Sequence, residues 1–152
     1  MATSENKQYE HLSTRASCPI CDWGVEGSFH VLVGCAHAQG LWDVMSDVWP
    51  IPRKEQVLDT SKDWLLLLLS SCSDIACSMI VTLVWRIWQV RVDITHGKEA
   101  APVQVSAEFL ESYMRTILDA QKFTIEEMLK GKMVGQDVWE RPKHHCSSQV
   151  LQ

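Results

Sequence analysis

The feature that most constrains this chain is the run CPICDWGVEGSFHVLVGC, which places three cysteines and a histidine between Cys18 and Cys35. The spacing is Cys18-x2-Cys21-x8-His30-x4-Cys35. Two cysteines separated by two residues form a knuckle that presents both thiolates to one ion, and Pro19 stiffens it. Three cysteines and one histidine are a standard tetrahedral set for a structural Zn²⁺. Such a set leaves no position open for a reactive water, so the expected role is to hold a fold together. The expectation is one zinc ion per chain, held by Cys18, Cys21, His30 and Cys35.

The second half of the motif poses a geometric problem. Residues five apart on an ideal helix point about 140° away from each other. An unbroken helix would therefore not aim His30 and Cys35 at one metal. Gly34 offers a solution, because a glycine can end a single turn in the left-handed conformation and bring Cys35 back. Val31, Leu32 and Val33 would then cover the site from the core side. The intervening DWGVEGSF, with Gly24 and Gly27, fits a tight loop or a minimal hairpin.

Past the motif, the pattern is helical. Leu41, Trp42, Met45, Val48 and Trp49 share one face, and Pro50 and Pro52 close that helix. WLLLLLSSC predicts a helix over 62–70, and the following Ser/Asp cluster offers N-caps for another running from Ile75 to Thr95. Ile75, Met79, Leu83, Ile87, Val90 and Ile94 would line its inner side, and His96-Gly97-Lys98 marks its end. Phe109, Leu110, Tyr113, Ile117 and Leu118 predict a helix from Ser106. Thr124-x-x-Glu127 is a capping-box pattern for one more, which Gly131 should stop. The fold class is therefore mainly α: a small Cys3His zinc knuckle followed by a helical body of about four helices. The expected organisation is a flexible lead-in at 1–16, a zinc-binding segment with its helix at 17–50, a helical body at 51–131 and a disordered tail at 132–152.

Charge narrows the function. The chain of 152 residues has a net charge of −5, and residues 1–50 set only Lys7 and Arg15 against six carboxylates. Three thiolates around one Zn²⁺ add a further net −1. A polyanion binder needs clustered Lys and Arg, so binding of nucleic acid by the knuckle is expected to be weak. Trp23 and Phe29 could stack on bases, but packing on the helix of Leu41 and Trp42 is the stronger reading. Arg86, Arg91 and Lys98 form the one other candidate nucleic-acid edge.

The N-terminus lacks the apolar core of a secretory signal, so the expected location is intracellular, nucleus and cytoplasm undistinguished. The apolar stretch from Trp64 to Val90 is expected to be a buried helix pair rather than a membrane span. Asp74 divides it into pieces judged too short, and Arg86 and Arg91 lie in its second half.

The motif and its surroundings resemble the C-terminal part of the zinc-binding domain in reverse transcriptases of plant non-LTR retrotransposons. That family reads C-P-x-C, a Glu four residues before a His, H-x4-C, then an Ala and a closing Trp. The matching residues are Cys18-Pro19-Ile20-Cys21, Glu26, His30, Cys35, Ala38 and Trp42. VWRIWQVRVDITHGKEAAP and FLESYM resemble the linker before the ribonuclease H domain of those polyproteins, especially in grasses. The resemblance runs from about residue 10 to about residue 120. Three departures stand out: the family's Trp-rich upstream segment and its reverse transcriptase aspartate pair are missing, and Val92 stands where the family has Asn. Trp139 and Pro142 resemble the entry to the ribonuclease H domain, whose metal-binding carboxylates do not follow. The resemblance implies a non-enzymatic fragment without a small-molecule substrate.

Other reactive residues have plainer readings. Cys72 and Cys77 are expected as core thiols, His96 as a helix cap, and His144-His145-Cys146 as part of a frayed tail. Trp64, Trp85 and Trp88 read as core. Any part of that Trp/Leu surface left exposed would promote self-association.

Overall fold

A computed structural model describes residue 3, residues 17–22 and residues 27–131, with 125–131 as backbone only. The expectations for Trp23, Glu26, the lead-in, the 23–26 part of the loop and the 132–152 tail lie outside these residues. Among the described residues the fold is helical and contains no strand. Its elements are a π-helical turn His30–Gly34, helix α1 Ala36–Val48, a 3-10 turn Lys54–Gln56, α2 Trp64–Ser70, α3 Asp74–Thr95 and α4 Val103–Gly131. The chain divides into two compact units, 1–116 and 117–152. In the second, the described residues are those of α4 from 117 onward.

The core of the first unit joins the π turn, α1 and α3, each of which packs on the other two. Val31, Leu32 and Val33 are buried, as are Ala38, Leu41, Trp42 and Met45 of α1. From α3 come Ala76, Met79, Ile80, Leu83, Val84, Ile87 and Val90. Each fully buried aliphatic side chain in such a core stabilises by about 1.5–3 kcal/mol. Met79, Leu83, Ile87 and Val90 are buried as expected, whereas Ile75 and Ile94 at the two ends are exposed and half-buried. Val48, at the end of α1, is also exposed.

Helix ends follow local chemistry. Trp49 precedes Pro50 and is extended (φ −104°, ψ 148°), because the proline ring disfavours helical geometry in the residue before it. The Ser73 hydroxyl accepts from the Ala76 amide at 3.3 Å and caps α3. At the other end Gly97 has φ 78°. The Lys98 amide donates to Asp93 O and the Gly97 amide to Ile94 O, both at 3.0 Å, so a left-handed glycine closes the helix as expected.

Two elements differ from the sequence pattern. The expected separate helix at Thr124 is absent; α4 is continuous to Gly131. Thr124 Oγ1 donates to the Ala120 carbonyl at 3.0 Å, four residues back, which a hydroxyl inside a helix can do without capping a new one. The inner face of α4 also differs. Ser106, Ala107, Leu110 and Met114 are buried, whereas Phe109 and Tyr113 are 38% and 41% exposed. The small Ser106 and Ala107 turn inward, Ser106 Oγ accepts from Arg86 Nε at 3.3 Å, and the rings are left beside Trp85.

α3, 22 residues long, has the length and apolar composition to cross a membrane. The expectation that Asp74 leaves only short pieces therefore fails for this helix. Its stripe from Ala76 to Val90 is instead covered by protein, and Arg91 is buried on the same helix.

The run of leucines in α2 gives a direct check of burial. Leu68 is 9% exposed and Leu66 is 69% exposed. Leu68→Ala should cost about 2–4 kcal/mol, and Leu66→Ala no more than about 0.5 kcal/mol, measured by urea denaturation. Equal costs would place the helix in the wrong rotation.

Candidate metal centre

Cys18 to Cys21 form a turn closed by the Asp22 amide, which donates to the Cys18 carbonyl at 2.9 Å. Asp22 has φ 55°, a left-handed geometry that Asp tolerates better than most residues. The second pair of donors comes from the π turn. The Cys35 amide donates to the His30 carbonyl, five residues back, at 2.6 Å. This wider turn corrects the expected role of Gly34, whose φ is not positive. A π turn takes about one more residue per turn than an α turn, so His30 and Cys35 come round to the same side. A Cβ on Gly34 would lie 3.5 Å from His30 Nδ1, an ordinary van der Waals contact, so space does not demand glycine here either.

The turn's free carbonyls are satisfied from α1. Trp42 Nε1 donates to Leu32 O at 2.8 Å and Gln39 Nε2 to Gly34 O at 3.0 Å. Cys35 is itself the N-cap residue of α1.

Together these elements bring Cys18, Cys21, His30 and Cys35 into one cluster with all ligand atoms within 4.8 Å of one another. Cys18 and Cys35 sulfurs are 3.9 Å apart, and Cys21 Sγ is 3.3 Å from His30 Nε2. A tetrahedral Zn²⁺ with ordinary bond lengths needs S···S edges of about 3.8 Å and S···N edges of about 3.6 Å. The two shorter separations lie near these edges, and the four donors together could hold one metal ion.

In the metal-free cluster burial opposes the thiolate form, and backbone amides offset part of that cost. Burial is the main cause that pushes the Cys18 thiol up and the Cys35 thiol up to about 12. Neighbouring thiols add to both shifts. Backbone amides oppose them: those of Ile20 and Cys21 at Cys18, and that of His37 at Cys35. Amides aimed at buried sulfurs stabilise thiolates, the form a metal requires.

His37 was not singled out by spacing. Besides its amide, it contributes a half-buried ring whose Nε2 has no hydrogen-bond partner among the described residues. Burial, then the positive charge of Arg86, lowers its pKa. Only its place two residues after Cys35, in the first turn of α1, could have drawn attention to it.

The described candidate nucleic-acid residues have partners within the fold. Phe29 packs edge-on against Trp64, ring centroids 5.6 Å apart. Arg86 bonds Ser106 and lies over the Phe109 ring at 4.8 Å. Arg91 is 3% exposed and lies over Trp88 at 5.1 Å, so it is a core side chain, not an edge contact. Lys98 pairs with Asp93 at 2.7 Å. Cys72 and Cys77 are half-buried, and the Cys77 thiol donates to Leu69 O at 3.2 Å. His96 Nδ1 donates to Val92 O at 2.7 Å, within the cap of α3.

Comparison with known proteins gives one relevant similarity. Over 103 residues the chain is 34% identical to an Arabidopsis thaliana protein provisionally named a ribonuclease H protein. The match covers 63% of this chain and 16% of that protein, so the chain spans about a sixth of its relative's length. No family model matches the chain, and no solved structure matches it.

The thiol shifts have a defined sign. In the metal-free chain the folded Cys35 pKa lies above its ordinary 9.0. The stability this contributes is complete below 9.0 and is lost as pH rises towards about 12. The stability difference between the metal-free chain and its Cys35→Ser variant should therefore shrink across that window, read by denaturation at each pH. Metal capture near neutrality must expel thiol protons, up to three for Cys18, Cys21 and Cys35. Calorimetry in buffers of differing ionisation enthalpy counts them, and zero release would exclude thiolate ligation.

Proposed function

We propose that this chain is a non-enzymatic, zinc-stabilised segment derived from a retrotransposon reverse transcriptase polyprotein. The observation that carries the reading is the Cys3His cluster, whose ligand atoms lie within 4.8 Å of one another above the buried Val31-Leu32-Val33 turn. Zinc suits this set because it takes thiolate and imidazole in a tetrahedron. Four protein donors fill that shell, which leaves the ion a structural role. The similarity to a plant protein named for ribonuclease H supports the polyprotein origin, alongside the C-P-x-C, H-x4-C and closing Trp42 pattern.

The residues have distinct parts in this reading. Cys18 and Cys21 supply the knuckle, His30 and Cys35 the π-turn pair, and Trp42 and Gln39 hold that turn open. When bound, zinc supplies a cross-link between the knuckle and the core, and no chemistry on a substrate. The described arginines of the candidate nucleic-acid set are engaged within the fold, which favours the structural role over RNA binding.

Metal analysis of the purified chain should return one Zn²⁺, and Cys21→Ser should abolish it. Structural zinc in small domains binds with about 10–16 kcal/mol, comparable with the entire stability of a domain, about 5–15 kcal/mol. Chelation should therefore cause cooperative loss of helical circular dichroism, restored by added Zn²⁺. A chain that keeps its helicity and thermal midpoint after complete metal removal would refute the structural role. Ribonuclease H and reverse transcriptase assays should give no turnover.

A further inference from the structure

The three thiols of the Cys3His cluster differ in what solvent can reach. Cys18 and Cys35 are 0% and 1% exposed, whereas Cys21 is half-buried and so open to a small reagent. The Cys18 and Cys35 sulfurs touch at 3.9 Å although 17 residues separate them along the chain. Every ligand atom of the cluster lies within 4.8 Å of every other, so Cys21 Sγ is near both sheltered sulfurs. An accessible sulfur with a second thiol beside it is the arrangement of a cysteine that is oxidised first and then resolved by its neighbour.

We propose that the cluster is also a redox site, in which a hydroperoxide oxidises Cys21 and the final product is a disulfide between Cys18 and Cys35. It rests on the metal-centre reading above, since the same four donors are involved. The Cys21 thiolate attacks one peroxide oxygen, the O–O bond breaks, hydroxide leaves, and Cys21 becomes a sulfenic acid. The Cys18 thiolate attacks the Cys21 sulfur, the S–O bond breaks and a second hydroxide leaves. The Cys35 thiolate, 3.9 Å from Cys18 Sγ, then attacks that sulfur and expels Cys21 as a thiolate. Protons given up by the thiols convert both hydroxides to water. The balance is two thiols and one hydrogen peroxide giving one disulfide and two waters. Exchange runs in this direction because Cys21 is the sulfur that leaves into contact with water, while Cys18 and Cys35 end uncharged and buried.

Joining Cys18 to Cys35 leaves Cys21 and His30, half of a tetrahedral donor set, which is too little to hold a structural ion. The same bond ties the knuckle covalently to Cys35, the N-cap residue of α1. An unfolded chain would favour Cys18–Cys21 instead, because closing a short loop costs less than closing a long one. Which link forms therefore reports on the folded cluster.

The full, zinc-replete chain treated with hydrogen peroxide should lose its zinc to a chromophoric chelator and lose two hydrogens by mass. Peptide mapping should join Cys18 to Cys35 and find Cys21 open to alkylation. Dimedone, which traps sulfenic acids, should label Cys21 when present during oxidation. The oxidised chain should keep after chelation the helical circular dichroism that the reduced chain loses, and oxidation in urea should move the link to Cys18–Cys21. Oxidation of the folded, zinc-replete chain that stops at Cys18–Cys21 overturns the proposal. So does a Cys21 sulfinic acid without a link, a link to Cys72, Cys77 or Cys146, or dimedone on Cys18 or Cys35 in place of Cys21. Each of these leaves the structural role of the metal standing. Conversely, a reduced chain that keeps its helicity after chelation refutes that role, while a mapped Cys18–Cys35 link still upholds the redox site.

Discussion

The hydrogen bond from the Cys35 amide to the His30 carbonyl is the contact on which the N-terminal half of the structure depends. It spans five residues where an α-helix spans four, and the extra residue carries Cys35 to the side on which His30 already stands. A π turn is poorly stable in isolation, so something must hold it. Trp42 and Gln39 of the next helix take the Leu32 and Gly34 carbonyls. Val31, Leu32 and Val33 of the same turn are buried between α1 and α3. The metal centre and the apolar core are therefore two faces of one five-residue element.

That arrangement explains what could be read from the residues and what could not. The four donors were legible because their identity and spacing are local facts. So were the Ser73 cap and the Gly97 stop, each decided within a few residues of the helix end. The mechanism of the bend was not legible. Whether His30–Gly34 winds as π or ends in a left-handed glycine depends on a tryptophan ten residues later and on which carbonyls it reaches. Gly34 lies at the bend without a positive φ, and a Cβ there would make only ordinary contact with the imidazole.

The helical body shows the same division. Periodicity found the helices and the inner faces of α1 and α3 but misplaced that of α4, because hydrophobicity ranks Phe109 and Tyr113 above Ser106 and Ala107 for burial. In the fold, small residues on α4 face inward, and Leu110 and Met114 fill the space the aromatic rings would have taken. Arg91 shows the converse error. A cation in a long apolar helix reads as an edge, yet here its stem is buried and its guanidinium lies over Trp88. Long side chains can be buried along much of their length while the charge keeps an aromatic partner.

α3 connects two regions of the first unit. One part of its surface packs on the π turn and α1; another presents Trp85 and Arg86 to Phe109, Tyr113 and Ser106. The π turn packs on α3 directly, and α1 also approaches α4, where a Cβ on Gly40 would lie 3.4 Å from Val103 Cγ2. Close-packed interiors shift as units rather than deforming continuously. The Cys3His cluster thus stands on a turn that packs against the same helix that carries Trp85.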